Sequence, residues 1–388
     1  MNVDLFQQLL SPQGRLALKF AYSLAPTPET YLRCITQMER TISRDLARIC
    51  LDTVLLRERA GKKYSKAERM YFTREALEQA TGECVSAYRA LKFQHFAKVG
   101  DFACGIGGDT LALAENSAVI AVDQDPLRIA MATENVKPYG VSDSVEFRQS
   151  DLTTMPFPDV EAVFFDPARR HNDKRVLSIH QYQPSLSILD RWFPHTKAIA
   201  VKIAPGVSRK EIQSLDCEVE FISQNGELKE CVLWFGPLRT ANRRATLLPN
   251  QESLTDAVSP DDRPSGPPEQ FFFEPDPAIL RAGLVTHLAE LISAHQLDKE
   301  IAYLSAKHPA QTPFAKTYQI DCSMTFHLKR MRETLRSMNV GQLIIKKRGS
   351  PIDPNKLMKQ LKLSGEESRF LFLTRVSGVH TAIIAHPC

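Results

Sequence analysis

The sequence predicts an α/β protein. A Rossmann-like, doubly wound sheet is preceded by a helical region and followed by small α/β domains. Three observations predict it. Between residues 98 and 203, short apolar runs alternate with stretches of helical periodicity, the pattern of a parallel sheet covered on both faces. A glycine-rich turn, Asp101-Phe102-Ala103-Cys104-Gly105-Ile106-Gly107-Gly108, follows the first of those runs. Two later apolar runs, 219–222 and 231–235, flank Asn225-Gly226, a strong hairpin signal, so the parallel strands end in an antiparallel pair.

Residues 1–92 read as helical, with Ile42, Leu46, Ile49, Cys50, Thr53 and Val54 recurring at spacings of three and four. Gly61 and the cluster Lys62-Lys63-Tyr64-Ser65-Lys66 interrupt this pattern. A further helix starts after Thr73, a good N-cap, with Glu75 and Glu78 near its positive end. Residues 93–248 form the doubly wound domain. Its parallel strands are expected at 99–103, 119–122, 145–147, 162–165 and 198–203, and its helices over 110–115, 126–139, 184–193 and 208–215. Residues 249–270, polar and containing Pro260, Pro264, Pro267 and Pro268, read as a flexible linker. A small α/β unit over 271–311 has its helix at 280–295. A last domain over 312–388 has strands at 343–345, 370–373 and 381–384 and a helix over 355–362.

At 388 residues the chain exceeds what one compact core absorbs, and 43% apolar residues supply ample core. No apolar run reaches the roughly 18 residues of a membrane span. Met1-Asn2-Val3-Asp4-Leu5 shows no basic region ahead of an apolar stretch, so no secretory signal is expected. Eight scattered cysteines without a Cys-x-x-Cys pair, and ten histidines without ligand spacing, fit a reduced cytoplasmic protein with no metal site. His308 and His327 are assigned no role. The net charge of +4 is modest, but basic residues concentrate at 62–66 and from Lys329 to Lys362, including Arg330, Arg332, Arg336, Lys346, Lys347 and Arg348.

The glycine loop carries the first chemical signal. Glycines let the backbone turn tightly and approach a ligand where a Cβ would clash. Asp123 ends the next strand, 18 residues after Gly105, where an acid accepts hydrogen bonds from two ribose hydroxyls. Asp151 falls at the end of the third strand, where an adenine amine would lie. A nicotinamide dinucleotide fits less well, because its loop wants Gly-x-Gly-x-x-Gly and here Asp109-Thr110 follow. S-adenosylmethionine (SAM) has no pyrophosphate to cradle, and Asp101 can sit near its ammonium or anchor the loop. The candidate cofactor residues are Asp101, Cys104, Gly105, Gly107, Gly108, Asp123, Gln124, Asp151 and Leu152.

The second signal is Phe164-Phe165-Asp166-Pro167-Ala168-Arg169-Arg170, at the end of the fourth strand and facing the same crevice. Methyl transfer is an in-line displacement that needs a positioned nucleophile. Asp166 can orient it or take a proton, and Pro167 leaves carbonyls free to accept from an amine. Arg169 and Arg170 can clamp a phosphate or carboxylate. Asp166, Pro167 and Arg169 are the candidate acceptor-side residues.

The stretch from Asp101 to Thr110, with Val119 to Pro126, is similar to trimethylguanosine synthases and related RNA methyltransferases. The whole chain more closely resembles bacterial class I SAM-dependent methyltransferases with a C-terminal THUMP-like domain. It shares the Asp-Pro-Ala-Arg-Arg run, the segment from Phe273 to Gly283, and Ile344-Ile345-Lys346-Lys347-Arg348-Gly349. The resemblance implies a seven-stranded sheet, a ferredoxin-like unit over 271–311, a THUMP-like domain over 312–388, and a structured RNA such as tRNA or rRNA as substrate. It also implies that Phe72 and Thr73 touch the methionine end of SAM, and that Arg170, Lys346, Lys347 and Arg348 meet RNA. One departure matters. The synthases follow their fourth strand with Pro-Pro-Trp, whereas Ala168-Arg169 stands here, so cap hypermethylation is not implied and the methylated atom stays open. The rival readings are a methyltransferase of protein or small molecules and a non-catalytic SAM- or RNA-binding protein.

Overall fold

The computed structural model describes residues 1–168, 170, 171, 174, 175, 178–261 and 264–388, the side chains at 170, 171, 174 and 175 excepted. The chain divides into two compact units, Met1–Cys217 with Val232–Thr240, and Glu218–Cys231 with Ala241–Cys388.

The first unit opens with helices Val3–Leu10, Pro12–Ser23, Tyr31–Met38 and Arg44–Ala60. Asn2, Ser11 and Ser43 cap three of them, each side chain accepting from a backbone N–H three residues on. Their apolar stripes, including Phe6, Leu18, Met38 and Leu51, form one core with Ile106 of the loop after the first strand, and with Leu111, Met131 and Val136 in or beside the sheet-covering helices. The expected 1–92 region is therefore not a domain of its own. Its short amphipathic helices bury their stripes against the doubly wound core.

That core holds five parallel strands: β1 (Lys98–Phe102), β2 (Ala118–Asp123), β3 (Val145–Gln149), β4 (Ala162–Phe165) and β5 (Ala198–Ile203). Their order is β5-β4-β1-β2-β3. The order reverses direction beside β1, and the carboxyl ends of β1 and β4 open a crevice there. Helix Gly108–Leu113 follows β1 and helix Pro126–Asn135 follows β2. The second is shorter than expected because Pro138 and left-handed Gly140 (φ 76°) turn the chain into a 3₁₀ segment.

The second unit begins with β6 (Glu218–Gln224) and β7 (Glu227–Trp234), joined by Asn225 and Gly226 at φ 53° and 77°, the signs a type I′ turn requires. The end of β7, from Val232, belongs to the first unit and lies beside β5. Within the second unit, β8 (Arg243–Leu248) runs parallel to β6, and β9 (Glu252–Thr255) pairs antiparallel with β8. The expected linker thus starts later than residue 249. Ala245 and Leu248 are buried, and Thr246 donates to Glu220, so this charged-looking segment has a satisfied inner face.

Residues 271–388 form one sheet where two units were expected. Its strands are β10 (Phe271–Pro275), β11 (His295–Asp298), β12 (Ile301–Ala306), β13 (Ala315–Thr325), β14 (Val340–Lys347), β15 (Glu367–Val376) and β16 (Val379–Pro387). The order is β11-β12-β10-β13-β16-β15-β14, antiparallel but for β14 with β15. The ferredoxin-like unit does not stand apart because β10 satisfies one edge with β12 and the other with β13. The expected helix over 280–295 breaks at Gly283 (φ 71°) into Pro277–Ala282 and Val285–Leu291. Helices Leu328–Ser337 and Pro354–Leu361 cover one sheet face through Met331, Leu335, Leu357 and Leu361. No described helix is long and apolar enough to cross a membrane.

Candidate active site

The crevice is built by the loops after β1 to β4 and by residues 76–81 from the segment ahead of β1. After β1 the chain passes through Ala103, Gly105 and Gly107, at φ 61°, 58° and 84°. A Cβ at Gly105 would meet nothing within 4 Å. Glycine is needed there for its backbone conformation, and the space beyond it belongs to the crevice. Gly108 is different: a Cβ would come within 2.7 Å of the Tyr64 hydroxyl, which donates to the Thr81 carbonyl.

Asp123 ends β2 and faces the loop. Its Oδ2 accepts from the Gly105 N–H at 2.9 Å and its Oδ1 from the Asp125 N–H at 2.9 Å. Burial raises its pKa above the usual aspartate range, against the lowering effect of these bonds. Asp125 caps the next helix, accepting from Leu127. Asp151 lines the crevice, and its Oδ1 is held by the Thr153 N–H and hydroxyl, both at 2.8 Å, which lower its pKa. Gln124 and Leu152 line the same wall.

Asp101 is turned away from this space. It is 1% exposed and accepts from the Thr110 hydroxyl, which ties β1 to the helix that follows. Burial, with the negative charge of Asp109, pushes its pKa up to about 8. Of the two roles open to Asp101, the geometry is that of a loop anchor. Phe72 and Thr73 also lie away from the crevice. Phe72 is 1% exposed and packs on Tyr64, with ring centroids 5.9 Å apart. Thr73 caps helix Arg74–Gln79, accepting from Ala76. The neighbours that reach the crevice are Ala76, Glu78, Gln79, Ala80 and Thr81. Phe72 is instead drawn into the helical core.

Opposite Asp123, Asp166 follows β4. Its N–H donates to the Phe102 carbonyl, and Pro167 and Ala168 continue the crevice wall. The Asp166 side chain has a partner that the sequence did not announce: Lys202 of β5, whose Nζ donates to Oδ2 at 2.6 Å. The same ammonium donates to Thr81 Oγ1 at 2.9 Å, and Thr81 donates to Asp109 Oδ2 at 3.0 Å. Asp109 in turn pairs with Arg89, whose guanidinium lies 4.4 Å from the centre of the Phe164 ring. The clue to Lys202 is a lone charge inside the apolar run Ala198–Ile203. Arg169 lies outside the described residues, as does the side chain of Arg170.

Of the expected RNA residues, Lys346 pairs with Glu274 beside the rings of Tyr318, Phe370 and Phe372. Arg348 stacks on Tyr303 at 4.4 Å and donates to the Ala302 carbonyl. Lys347 is exposed.

The residues present fit SAM. An open-faced glycine turn and a buried acid at the end of β2 can hold its ribose, and the wall at Asp151 and Leu152 can flank its adenine. Comparison with known proteins agrees. Residues 99–178 match the family described as methyltransferase domain, residues 315–387 the THUMP domain-like family, and residues 2–60 a domain of unknown function. An uncharacterized S-adenosylmethionine-dependent methyltransferase of Mycobacterium tuberculosis is 33% identical over 357 residues, covering 89% of this chain and 97% of that protein. An uncharacterized RNA methyltransferase of Brucella suis is 33% identical over 109 residues, 26% of each chain. The solved structure of a Porphyromonas gingivalis protein assigned as a methyltransferase covers 96% of this chain and 98% of its own, with a TM-score of 0.77 and 18% identity, a likeness of fold. With its class I sheet, its glycine turn and a relative matched over nearly its whole length, the chain belongs to the S-adenosylmethionine-dependent methyltransferases.

Proposed function

We propose that this methyltransferase acts on RNA. The observation that carries the reading is the charge of the THUMP-like region. Between residues 329 and 362 stand ten Lys and Arg and two acidic residues. Lys329, Arg330, Arg336, Lys347, Lys356, Lys359 and Lys362 are exposed. Arg332 and Arg336 donate to the Gln360 and Lys362 carbonyls, so the two basic helices are held side by side. Such a surface suits a row of phosphates. The name of the Brucella relative supports the same substrate class.

In this reading Asp123 accepts from the ribose hydroxyls of SAM, Gly105 and Gly107 let the backbone approach it, and Asp151 and Leu152 flank its adenine. SAM supplies an electrophilic methyl group when bound. Asp166 orients the acceptor. Among the described residues only its Oδ2 is hydrogen-bonded, which leaves Oδ1 for an N–H or O–H at the crevice. The test is methyl transfer from labelled SAM to total RNA of a strain lacking this gene, with RNA of the parent strain as control. Label in the first RNA and little in the second is the expected result. Label in neither, but in protein or small-molecule extracts, sinks the RNA reading and leaves the methyltransferase in place.

A further inference from the structure

The strand alone gives Lys202 no reason to be a lysine. It lies in β5 among Ala198, Ile199, Ala200, Val201 and Ile203, all buried, and its own side chain is 4% exposed. An aliphatic residue would complete the strand, and a buried ion pair seldom stabilises more than apolar packing does. The register explains where the charge goes. β4 and β5 pair Phe165 with Val201, so the next residues, Asp166 and Lys202, sit side by side at the carboxyl ends of their strands. Thr81 accepts a second hydrogen bond from the ammonium, and Asp109 and Arg89 complete a balanced set of two acids and two bases. Asp101, on β1, is a third acid close enough to feel Asp166.

We propose that Lys202 is a positioning residue of the methyl-transfer site, acting through Asp166. It pins one carboxylate oxygen, leaves the other to the acceptor, and cancels the acid's charge. A bare carboxylate in this crevice would favour the cationic sulfonium of SAM and so oppose its conversion to the neutral thioether, S-adenosylhomocysteine (SAH). The balanced pair lets the enzyme hold substrate and product on nearly equal terms. The inference rests on the reading that places Asp166 on the acceptor side.

The test needs no acceptor. Dissociation constants for SAM and SAH are measured by calorimetry at pH 6.5, above the ordinary carboxylate range and below the raised pKa of Asp101, about 8, for the full chain and three variants. Lys202→Met leaves Asp166 unbalanced and should raise the preference for SAM over SAH about fivefold. Asp166→Asn leaves Lys202 unbalanced and should lower it by a similar factor. The double variant buries no lone charge, so it should fold, and its preference should return to within about twofold of the parent. A Lys202→Met variant that binds SAM and SAH equally more weakly, with their ratio unmoved, would overturn the proposal and leave Lys202 a purely structural residue. A shift in Asp166→Asn alone would also overturn it, while keeping Asp166 on the acceptor side. No shift in either variant would remove Asp166 from that side, and the proposal with it.

Discussion

At the residue scale, two buried acids make opposite predictions about pH. In the proposed reading Asp123 binds ligand as the carboxylate, and burial raises its pKa. The affinity for SAH should therefore be full at neutral pH and decline on acidification, beginning above the ordinary aspartate value of about 4. Asp123→Asn should bind about tenfold or more weakly, the scale of a hydrogen bond to a charged group, and its affinity should no longer vary over that window. Calorimetry between pH 4.5 and pH 7.5 checks it, and an unchanged affinity would remove Asp123 from the ribose position. Asp101 concerns folding. Its folded pKa is raised to about 8, so its protonated form is favoured in the native state. That contribution to stability is complete below about pH 4 and is lost as pH rises through about 8. Asp101→Asn can still accept from Thr110 and carries no charge to desolvate. Its melting temperature should fall less than the parent's between pH 6 and pH 9, and parallel curves would count against the assignment. In the sequence Asp123 stands out because it ends a strand at a fixed distance from the glycine turn, and Asp101 because it begins the run that leads into that turn. Lys202 does not, since its partners lie 36 and 121 residues away and only the fold brings them together.

At the scale of elements, the segment from Tyr71 to Thr81 meets the crevice through residues other than Phe72 and Thr73. Helix Arg74–Gln79 does border the crevice, through Ala76 and Gln79, but Phe72 belongs to the core and Thr73 to the helix end. Thr73→Ala removes the cap and should cost about 1 kcal/mol in urea unfolding, whereas Thr73→Ser should recover most of that loss. Were Thr73 instead a direct ligand of the methionine end, the alanine variant would lose SAH affinity out of proportion to stability. Strand existence was readable wherever apolar runs were continuous, as in β4 and β5, because both faces of those strands are covered. β8 and β9 are not legible in the sequence because small and polar residues break their apolar pattern: Ala245, Thr246 and Ser253, the last two joined by a hydroxyl pair at 2.8 Å. The hairpin before them was plain, since Asn-Gly specifies its own turn.

At the scale of the whole molecule, the sequence locates the basic region but cannot say which of its cations are available to a partner. Lys346 is committed. It pairs with Glu274 and lies within 6 Å of three aromatic rings. Lys356 and Lys359 project from helix Pro354–Leu361 into solvent, and the buried residues of that helix are Leu357 and Leu361. The two kinds of lysine should separate in one experiment. Binding of the full chain to a labelled structured RNA is measured from 50 to 300 mM salt, and the logarithm of the affinity is plotted against that of the salt concentration. Each phosphate contact removed should flatten the slope by about 0.7 to 0.9. Lys356→Ala with Lys359→Ala should therefore reduce it by roughly 1.5 and leave unfolding unchanged within about 0.5 kcal/mol, as expected for exposed positions. Lys346→Ala should do the reverse. It strands a half-buried Glu274, costing about 1–2 kcal/mol of stability, and leaves the slope alone. If Lys346→Ala flattened the slope and the helix pair did not, the phosphates would run along β14 and the helix face would be only a solvated surface.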